Sequence, residues 1–347
     1  MKALVWYGQK DVRIEDVQEP VVEAGKVKIK PAFTGICGSD LHAYHHGIGV
    51  QVEVEHPISG QKAPLTLGHE FAGVVAEVGP GVEGFKVGDR VAVEPMLHCK
   101  ECEYCRQGRY NMCEKFGFVG LNADGGFAEY VVVDDFLVHA LPEGVSLEEG
   151  ALVEPTAVAV QAVRESKIKV GDTVAVYGVG PIGLLTIMAA KAAGAARIVA
   201  VDVSKERLEK AKEVGATHII NSLEEDATET IKAAYGAVDV AYEAAGVQPT
   251  FTSATQVVKK GGEVMIISVF GKPAEVDLFR VVANEINIKG SLAYRHIFPE
   301  VMNMIENGVL DVKKVVTDKI PLDNVVEGGF EKLIQDKSQA KILVEIR

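Results

Sequence analysis

The sequence has no long apolar run, no excess of basic residues and few cysteines. No stretch reaches the roughly 18 consecutive apolar residues of a membrane-spanning helix, so we expect no membrane span. The 49 aspartates and glutamates outnumber the 36 lysines and arginines, and the formal charge of −13 disfavours nucleic acid and anionic membranes as partners. Residues 1–8 are interrupted too early for a signal peptide and have the pattern of a strand. We therefore expect a cytoplasmic protein.

Cysteine is scarce, with five residues in a chain of 347, and internal repeats and low-complexity tracts are missing. Because thiols stay reduced in the cytoplasm, such a small set argues for metal binding before disulfides. The length, with 48% hydrophobic and 24% charged residues, predicts about two domains with well-filled cores.

The first 150 residues or so have the pattern of an all-β domain. Short alternating runs are separated by glycine and proline, as in strands joined by tight turns. The clearest runs cover residues 27–30, 71–79, 89–93 and 127–133. This spacing predicts a partly open barrel.

From about residue 154, strands and helices alternate. Predicted strands cover residues 172–177, 197–202, 238–242 and 263–268, and predicted helices cover 184–193 and 205–214. Such alternation is typical of an α/β fold with a doubly wound parallel sheet. From about residue 292 the chain returns to a helix, at 298–308, and mixed strands. We expect this last segment to pack back onto the N-terminal domain.

The strongest local signal is a set of four cysteines, namely Cys99, Cys102, Cys105 and Cys113. Four thiolates at this spacing close a tetrahedral zinc site with no open position, which makes the site structural. Two disulfides and a chance spacing are the alternatives. Zinc would rigidify an irregular lobe, about residues 96–115, whose polar sequence could not pack by itself.

A glycine pattern, Gly178-x-Gly180-x-x-Gly183, follows the predicted strand 172–177 and opens a helix with Pro181 and Ile182. In this context the glycines permit a tight turn, close approach of the backbone to a pyrophosphate, and close packing of helix on strand. The helix N-terminus attracts the phosphate charge. A different nucleotide and a simple packing turn are the alternatives.

An acidic residue stands where a dinucleotide site needs one. Asp202 ends the next strand, 24 residues after Gly178. Its carboxylate can accept hydrogen bonds from both adenosine ribose hydroxyls and would repel a 2′-phosphate, which favours NAD over NADP. Arg207 could soften that preference or stack near the adenine.

Three separate stretches supply a second candidate metal site. Cys37 lies in a glycine-flanked turn, His69 precedes Glu70 at the start of a strand, and Glu154 lies in an apolar run where an unpaired carboxylate is costly to bury. A Cys/His/Glu set leaves a fourth zinc position open for water or a substrate oxygen. For Cys37 a nucleophile or a core thiol, for His69 a hydrogen-bonded core histidine, and for Glu154 an interdomain salt bridge remain alternatives.

Together these motifs resemble the zinc-dependent medium-chain dehydrogenase/reductase family over nearly the whole chain. The matching stretches are residues 35–40, 68–70, 88–91, the four-cysteine lobe, 153–155 and 178–183. The resemblance implies a GroES-like partly open β-barrel domain, at residues 1–153 and 293–347, and an NAD-binding Rossmann domain at 154–292. It also implies two zinc ions per subunit, one catalytic and one structural, and a homodimer or homotetramer. Residues 285–290 alternate like an edge strand that could pair across a two-fold axis.

The activity that the resemblance implies is reversible hydride transfer from a secondary alcohol to C4 of NAD, with zinc lowering the pKa of the alcohol. Ser39 would accept the alcohol proton and pass it through the nicotinamide ribose to His42. Glu70 would orient His69 or exchange onto the metal. Val269 and Tyr294 would be further cofactor contacts. A turn hydroxyl at Ser39 and a surface histidine at His42 remain open.

Within the family, a glutamate at the position of Glu154 resembles the sorbitol, threonine and 2,3-butanediol branches. An insert at about residues 45–64, and stretches 117–121, 294–299 and 341–344, are similar to the butanediol branch, which acts on 2,3-butanediol, acetoin and diacetyl. Ala43 and Ala293 depart from the sorbitol branch. We therefore expect a vicinal diol or α-hydroxyketone, with a polyol or L-threonine as the alternative. A zinc-less, quinone reductase-like NAD-binding regulator and a thiolate redox sensor are the other classes.

Overall fold

The computed structural model describes residues 1–50 and 52–347. The predicted insert at 45–64 includes Gln51, which lies outside the described residues. The strands are β1 (Lys2–Gly8), β2 (Asp11–Asp16), β3 (Lys26–Gly35), β4 (Leu65–Thr66), β5 (Glu70–Val78), β6 (Arg90–Val93), β7 (Met96–Leu97), β8 (Gly117–Phe118), β9 (Val131–Asp134), β10 (Val138–Ala140), β11 (Thr173–Tyr177), β12 (Arg197–Asp202), β13 (His218–Asn221), β14 (Val238–Glu243), β15 (Val258–Ile266), β16 (Asn287–Gly290), β17 (Val316–Pro321) and β18 (Lys341–Glu345).

The helices fall mainly in the second half of the chain. They are α1 (Gly38–His46), α2 (Glu103–Arg106), α3 (Leu147–Ala151), α4 (Val153–Glu165), α5 (Pro181–Ala192), α6 (Lys205–Val214), α7 (Ala227–Tyr235), α8 (Gln248–Val257), α9 (Leu278–Ala283), α10 (Phe298–Glu306) and α11 (Lys332–Gln335). Short 3₁₀ helices cover Tyr110–Met112, Asp135–Leu137, Val312–Val315 and Leu322–Asn324, and Val325–Glu331 is π-helical. Over residues 1–50 and 52–347, the longest apolar helices fall short of what a membrane crossing requires.

The N-terminal part is built round a curved sheet in the order β10-β6-β5-β3-β18-β17, with β9 also paired to β3. The central strand β3 has two register shifts against β5. Such bulges bend a strand and raise its twist, which lets β3 pair with β9 near its start and with β18 near its end. The three-stranded sheet β2-β1-β4 lies alongside. The fold class predicted for this half, a partly open barrel, is confirmed.

One predicted strand is shorter than expected. The alternating run 127–133 is strand only from Val131 onward. The backbone N–H groups of Gly125, Gly126 and Phe127 instead donate to carbonyls of residues 66–68. Just beyond them, Ala128 forms an antiparallel bridge with Ala3, and the Leu4 N–H donates to the Phe127 carbonyl. The first part of the run is therefore buried and bridged to β1, and a continuous strand begins only at Val131.

The segment after residue 310 completes the N-terminal sheet. β18 pairs antiparallel with β3, opposing Leu343 to Gly35, and β17 pairs parallel with β18. The strand β5 flanks β3 on its other side, opposing Glu70 to Gly35. The end of β3 is therefore enclosed between two strands that are far apart in sequence. The domain limits at residues 153 and 293 stay predictions.

The second half is a six-stranded parallel sheet in the order β13-β12-β11-β14-β15-β16. The first strand, β11, is central, and the order reverses between β11 and β14. In open α/β sheets ligands bind at the carboxyl ends of the strands at such a reversal. The loop 178–180 leaves β11 at that end. The strand β16 lies at one edge of the sheet, where the run 285–290 was expected.

A single large core cluster contains residues of both halves. It includes Met96 and Leu141 from the barrel, Leu184 from α5 and Phe298 from α10. The helix α4 lies within this cluster, with Val153, Ala157 and Ala159 fully buried. Its first turn is thereby placed between the two sheets, and that turn carries Glu154.

Candidate active site and metal centres

Cys37 occupies the N-cap of α1, immediately after the enclosed end of β3. Asp40, at the third helical position, accepts a hydrogen bond from the Cys37 N–H at 2.9 Å, and the Cys37 side chain faces the Asp40 N–H. This reciprocal pairing is a capping box. It fixes the direction of the thiol. Gly35 must be glycine, because a Cβ there would collide with the Glu70 carboxylate.

Cys37, His69 and Glu70 each offer a ligand atom, and these three atoms lie within 4.8 Å of one another. The His69 ring is buried, with Nε2 3.0 Å from the Ser39 hydroxyl oxygen. Its Nδ1 lies 3.5 Å from Asp40 Oδ1. Among the described residues, His69 Nδ1 and Asp40 Oδ1 have no other hydrogen-bond partner. Because a proton on Nδ1 faces Asp40, Nε2 is left free to bind a metal.

Asp40 is a residue that the sequence interpretation missed. We assigned the orientation of His69 to Glu70, whereas the structure places Asp40 nearest to its Nδ1. The signal was present, since an acidic residue three positions after a possible N-cap predicts a capping box. The same carboxylate therefore serves both the Cys37 backbone and the His69 ring.

Glu70 has a different partner. Lys341 Nζ donates to both Glu70 carboxylate oxygens, at 2.8 and 2.6 Å, and to the Ile36 carbonyl at 2.8 Å. The exposures are 0% for Glu70 and 1% for Lys341. Burial alone would lower the pKa of Lys341, but the charges of Glu70 and Cys37 raise it. Lys341 was also missed; its signal was a lysine opening an otherwise apolar strand.

Glu154 is buried in the first turn of α4 and accepts a hydrogen bond from the Tyr294 hydroxyl at 2.9 Å. Burial and the neighbouring Glu70 carboxylate raise the pKa of Glu154 to about 7, although His69 lowers it. Glu154 therefore shares the electrostatic environment of the cluster. In the described part of the chain, however, Glu70 and not Glu154 belongs to the group within 4.8 Å.

The charges of this site fit a bound cation. Asp40, Glu70 and Glu154 are buried carboxylates, and the buried Lys341 pairs with one of them, Glu70. Burial lowers the pKa of His69, but Asp40 and Cys37 raise it well above its usual value. A metal ion can take the place of that proton, because it binds neutral imidazole and thiolate. Sulfur, nitrogen and oxygen donors together suit zinc.

The remaining relay residue lies at a cleft. The His42 side chain is exposed on α1. Its pKa is lowered, mainly because the surrounding protein partly desolvates the ring and to a smaller extent because of the charge of His46. The cleft has a volume of about 570 Å³. One wall is formed by His42, His46 and Ile48, and the other by residues 246–248 and 270–274 of the parallel-sheet half. His42 is thus placed where the two halves of the chain face each other.

The glycine loop has the shape that a dinucleotide needs. Gly178 is left-handed, with φ of 83°, and a Cβ on Gly183 would collide with the Gly178 carbonyl. At Gly180, by contrast, the nearest atom to a Cβ would be 3.8 Å away, so the backbone is open. Gly180 is the N-cap of α5 and provides no side-chain cap, and Pro181 and Ile182 follow. Free N–H groups at such a terminus attract phosphate.

The other predicted cofactor residues are distributed round this loop. Asp202 accepts hydrogen bonds from the backbone N–H groups of Val179, Val203 and Ser204. Arg207 donates to the Gln339 carbonyl. Val269 is 79% exposed. Tyr294 is 0% exposed and donates to Glu154, so its side chain offers no surface to a cofactor in this structure.

The four lobe cysteines lie together, with their sulfur atoms within 4.8 Å of one another. The Cys99 and Cys105 sulfurs are 3.9 Å apart, close to the edge of about 3.8 Å that a tetrahedron with metal–sulfur bonds of about 2.3 Å has. Backbone N–H groups lower the pKa of Cys102 to about 6, whereas burial raises that of Cys105 to about 12. A bound dication would let all four ionise. All five cysteines are free of disulfides.

Comparison with known proteins agrees with this geometry. A zinc-binding dehydrogenase model matches residues 181–307, and an alcohol dehydrogenase GroES-like domain model matches residues 23–143. The chain is 50% identical to (R,R)-butanediol dehydrogenase of Bacillus subtilis strain 168 over 347 residues, covering 99% of each. It is 39% identical to sorbitol dehydrogenase of the same organism, covering 99% of this chain and 97% of the relative. The crystal structure of 2R,3R-butanediol dehydrogenase from Bacillus subtilis superposes with a TM-score of 0.94, at 49% identity and 99% coverage of each chain.

Proposed function

This chain belongs to the zinc-dependent medium-chain dehydrogenase/reductase family, and from that premise we propose that it interconverts 2,3-butanediol and acetoin with NAD(H). It is a zinc-dependent alcohol dehydrogenase. The proposal of substrate rests on the full-length identity to a butanediol dehydrogenase. The buried Cys37–His69–Glu70 cluster supports the proposed chemistry, because its donor atoms lie close enough together to bind a metal ion.

We propose two zinc ions per subunit. Cys99, Cys102, Cys105 and Cys113 would hold the structural ion, and Cys37, His69 and Glu154 the catalytic one. Zinc at the catalytic position supplies a Lewis acid that lowers the pKa of an alcohol. Tyr294 orients one Glu154 oxygen. Lys341 donates to both oxygens of Glu70, and these hydrogen bonds would hold the carboxylate beside the metal without coordinating it.

Ser39 is the proposed proton acceptor. Its hydroxyl stands 3.0 Å from His69 Nε2, the ring nitrogen that faces the proposed metal position. A substrate hydroxyl bound to a metal ion held by His69 would lie near the Ser39 hydroxyl, which would accept its proton. His42 lines the cleft between the two halves of the chain, where its imidazole would pass the proton on to solvent.

Kinetics with a matched panel tests the substrate. With NAD, we expect kcat/KM for 2,3-butanediol to exceed that for sorbitol and for L-threonine by at least about 10²-fold, or roughly 2.7 kcal/mol of transition-state discrimination. With NADH, acetoin should exceed fructose similarly. The reason is that His46 and Ile48, from the start of the insert, line the cleft and would narrow it to fit a short substrate with adjacent oxygens. Steady-state rates at one pH and fixed cofactor measure this.

A polyol function would give the reverse order. Sorbitol above 2,3-butanediol would refute the proposed substrate, while the zinc-dependent activity would remain. No turnover of any alcohol in protein with two zinc ions per chain would instead refute the assignment of the catalytic residues.

The cofactor preference depends on Asp202. In the Asp202→Asn variant, we expect the ratio of kcat/KM for NAD to that for NADP to fall by about 10²-fold, because the repulsion of a 2′-phosphate and a charge-assisted acceptor for the ribose are lost. Asparagine keeps one acceptor oxygen for the Val179 N–H, whereas the hydrogen bonds from the Val203 and Ser204 N–H groups to the other oxygen are lost. The Asp277→Asn variant, which changes the cap of α9, is the control. An unchanged ratio in Asp202→Asn would rule out this role.

We further propose a cytoplasmic homodimer or homotetramer. The strand β16 is a sheet edge, and Leu278, Phe279, Val282, Ile288 and Leu292 near it are exposed apolar side chains. A two-fold axis at this edge would cover them and extend the sheet. The five unpaired thiols fit a reducing compartment.

A further inference from the structure

One short segment links the four-cysteine lobe to the proposed catalytic site. We call residues 292–296, between β16 and α10, the strap. Ala293 and His296 in the strap both have φ of 48° although neither is glycine. Left-handed backbone costs such residues roughly 1–2 kcal/mol each. The strap therefore keeps its shape only because its contacts impose it.

The outer contacts of the strap come from the lobe. Asn111 Nδ2 donates to the Leu292 carbonyl at 2.9 Å, and the His296 N–H donates to the Tyr110 hydroxyl at 2.6 Å. Tyr110 and Asn111 are buried and belong to the 3₁₀ turn that ends just before Cys113. The turn is thus anchored by a lobe cysteine on one side and holds both ends of the strap on the other.

The inner contact of the strap reaches Glu154. Tyr294, between the two left-handed residues, is fully buried and donates to Glu154 Oε1 at 2.9 Å. Its ring packs against Phe298 with ring centroids 5.3 Å apart. The chain of contacts is continuous from the cysteine cluster through Tyr110 and the strap to the Glu154 carboxylate.

We propose that the lobe is a positioning element for Glu154, acting through the strap, so that the two metal sites are energetically coupled. This inference rests on the proposed role of Glu154 as a ligand of the catalytic zinc. Zinc in the lobe orders the turn that carries Tyr110, and the turn holds Tyr294 against Glu154. Partners of this kind change metal affinity by about 10–100-fold when removed. Tyr294 and Tyr110 are positioning residues, because neither touches the reacting atoms.

The test compares three phenylalanine variants of the full-length enzyme carrying both zinc ions. Tyr294→Phe removes the hydroxyl that faces Glu154. Tyr110→Phe removes the hydroxyl that accepts from the His296 N–H in the strap and donates to Glu94. Tyr104→Phe is the matched control, since Tyr104 also lies in the lobe but its hydroxyl makes no hydrogen bond within residues 1–50 and 52–347. Competition with a zinc chelator measures the affinity of each site. The Cys37→Ser variant identifies which released ion is catalytic.

We expect Tyr294→Phe and Tyr110→Phe each to weaken the catalytic ion about tenfold, with the structural ion retained. The double variant should weaken the binding of the catalytic ion no more than Tyr294→Phe alone, because both substitutions act through the same hydrogen bond, from the Tyr294 hydroxyl to Glu154. Tyr104→Phe should match the wild type. An additive double variant, or a Tyr110→Phe variant with unchanged affinity, overturns the coupling through the strap. A Tyr294→Phe variant with unchanged affinity for the catalytic ion also overturns it, because the strap would then not position Glu154. A wild-type enzyme that binds one zinc per chain would instead refute the proposed catalytic site.

Discussion

Replacement of Cys37 by serine is expected to lower kcat/KM by about 10³-fold or more, equivalent to roughly 4 kcal/mol of lost transition-state stabilisation. The thiol is one of three clustered donor groups, and the capping box with Asp40 holds it in place. A serine hydroxyl keeps the size of the cap but is a poor zinc ligand at neutral pH, since it stays protonated. The fold should survive, because serine is itself a favoured N-cap residue.

Zinc content shows whether Cys37→Ser loses activity because it loses a metal ion. Elemental analysis should find two zinc ions per chain in the wild type and one in Cys37→Ser, with the remaining ion in the four-cysteine lobe. Ser39→Ala is the control, because it changes the neighbouring hydroxyl without removing a proposed ligand, and should keep both ions. If Cys37→Ser retained two ions and most of its activity, Cys37 would not be a ligand. Loss of both ions would indicate far stronger coupling than the tenfold effect proposed above.

Replacement of Lys341 by methionine is expected to destabilise the protein by about 3–5 kcal/mol, which is the usual cost of leaving one partner of a buried ion pair behind. Glu70 would keep its carboxylate at 0% exposure while losing both hydrogen bonds to Lys341. The Ile36 carbonyl would also lose its donor. Urea unfolding of the zinc-loaded enzyme, compared at a common slope, measures the change.

Two further variants separate charge from packing at this position. The double variant Lys341→Met with Glu70→Gln should recover most of the loss, because the uncompensated charge is gone. Lys319→Met on the neighbouring strand β17 should cost less than about 1 kcal/mol, since the Lys319 side chain that pairs with the half-buried Glu148 is itself exposed to solvent. A Lys341→Met variant as stable as the Lys319→Met variant would contradict the expected cost of leaving Glu70 without its partner.

The features with short-range patterns were predictable from sequence. The spacing of the four cysteines and the glycine pattern each predict a local geometry from about twenty residues or fewer. In the structure the four cysteines lie together, and the backbone at Gly180 is open. The alternation of strands and helices gave the parallel sheet, because each period is local. Asp40 was equally local and could have been recognised as the third position of a capping box.

The features that depend on strand register were not predictable. Lys341 and Glu70 are 271 positions apart, and Tyr294 and Glu154 are 140 apart. Neither sequence neighbourhood indicates its partner. The first pair follows from β3 being enclosed between β5 and β18, and the second from the packing of the strap against the first turn of α4. For the same reason Tyr294 was assigned to the cofactor, and Glu70 to the orientation of His69. Both residues are polar groups near the expected site, but their partners are set by tertiary structure.

The pairing of β18 with β3 also imposes an order of events during biosynthesis. Lys341 donates to the Ile36 carbonyl across 305 positions of sequence, so the turn holding Cys37 lacks its buried cation until β18 has left the ribosome. A nascent barrel emerging earlier would expose the edge of β3 and a carboxylate with no counterion. Edges of this kind recruit other chains. The turn that holds Cys37 therefore reaches its final set of contacts only once β18 has paired with β3.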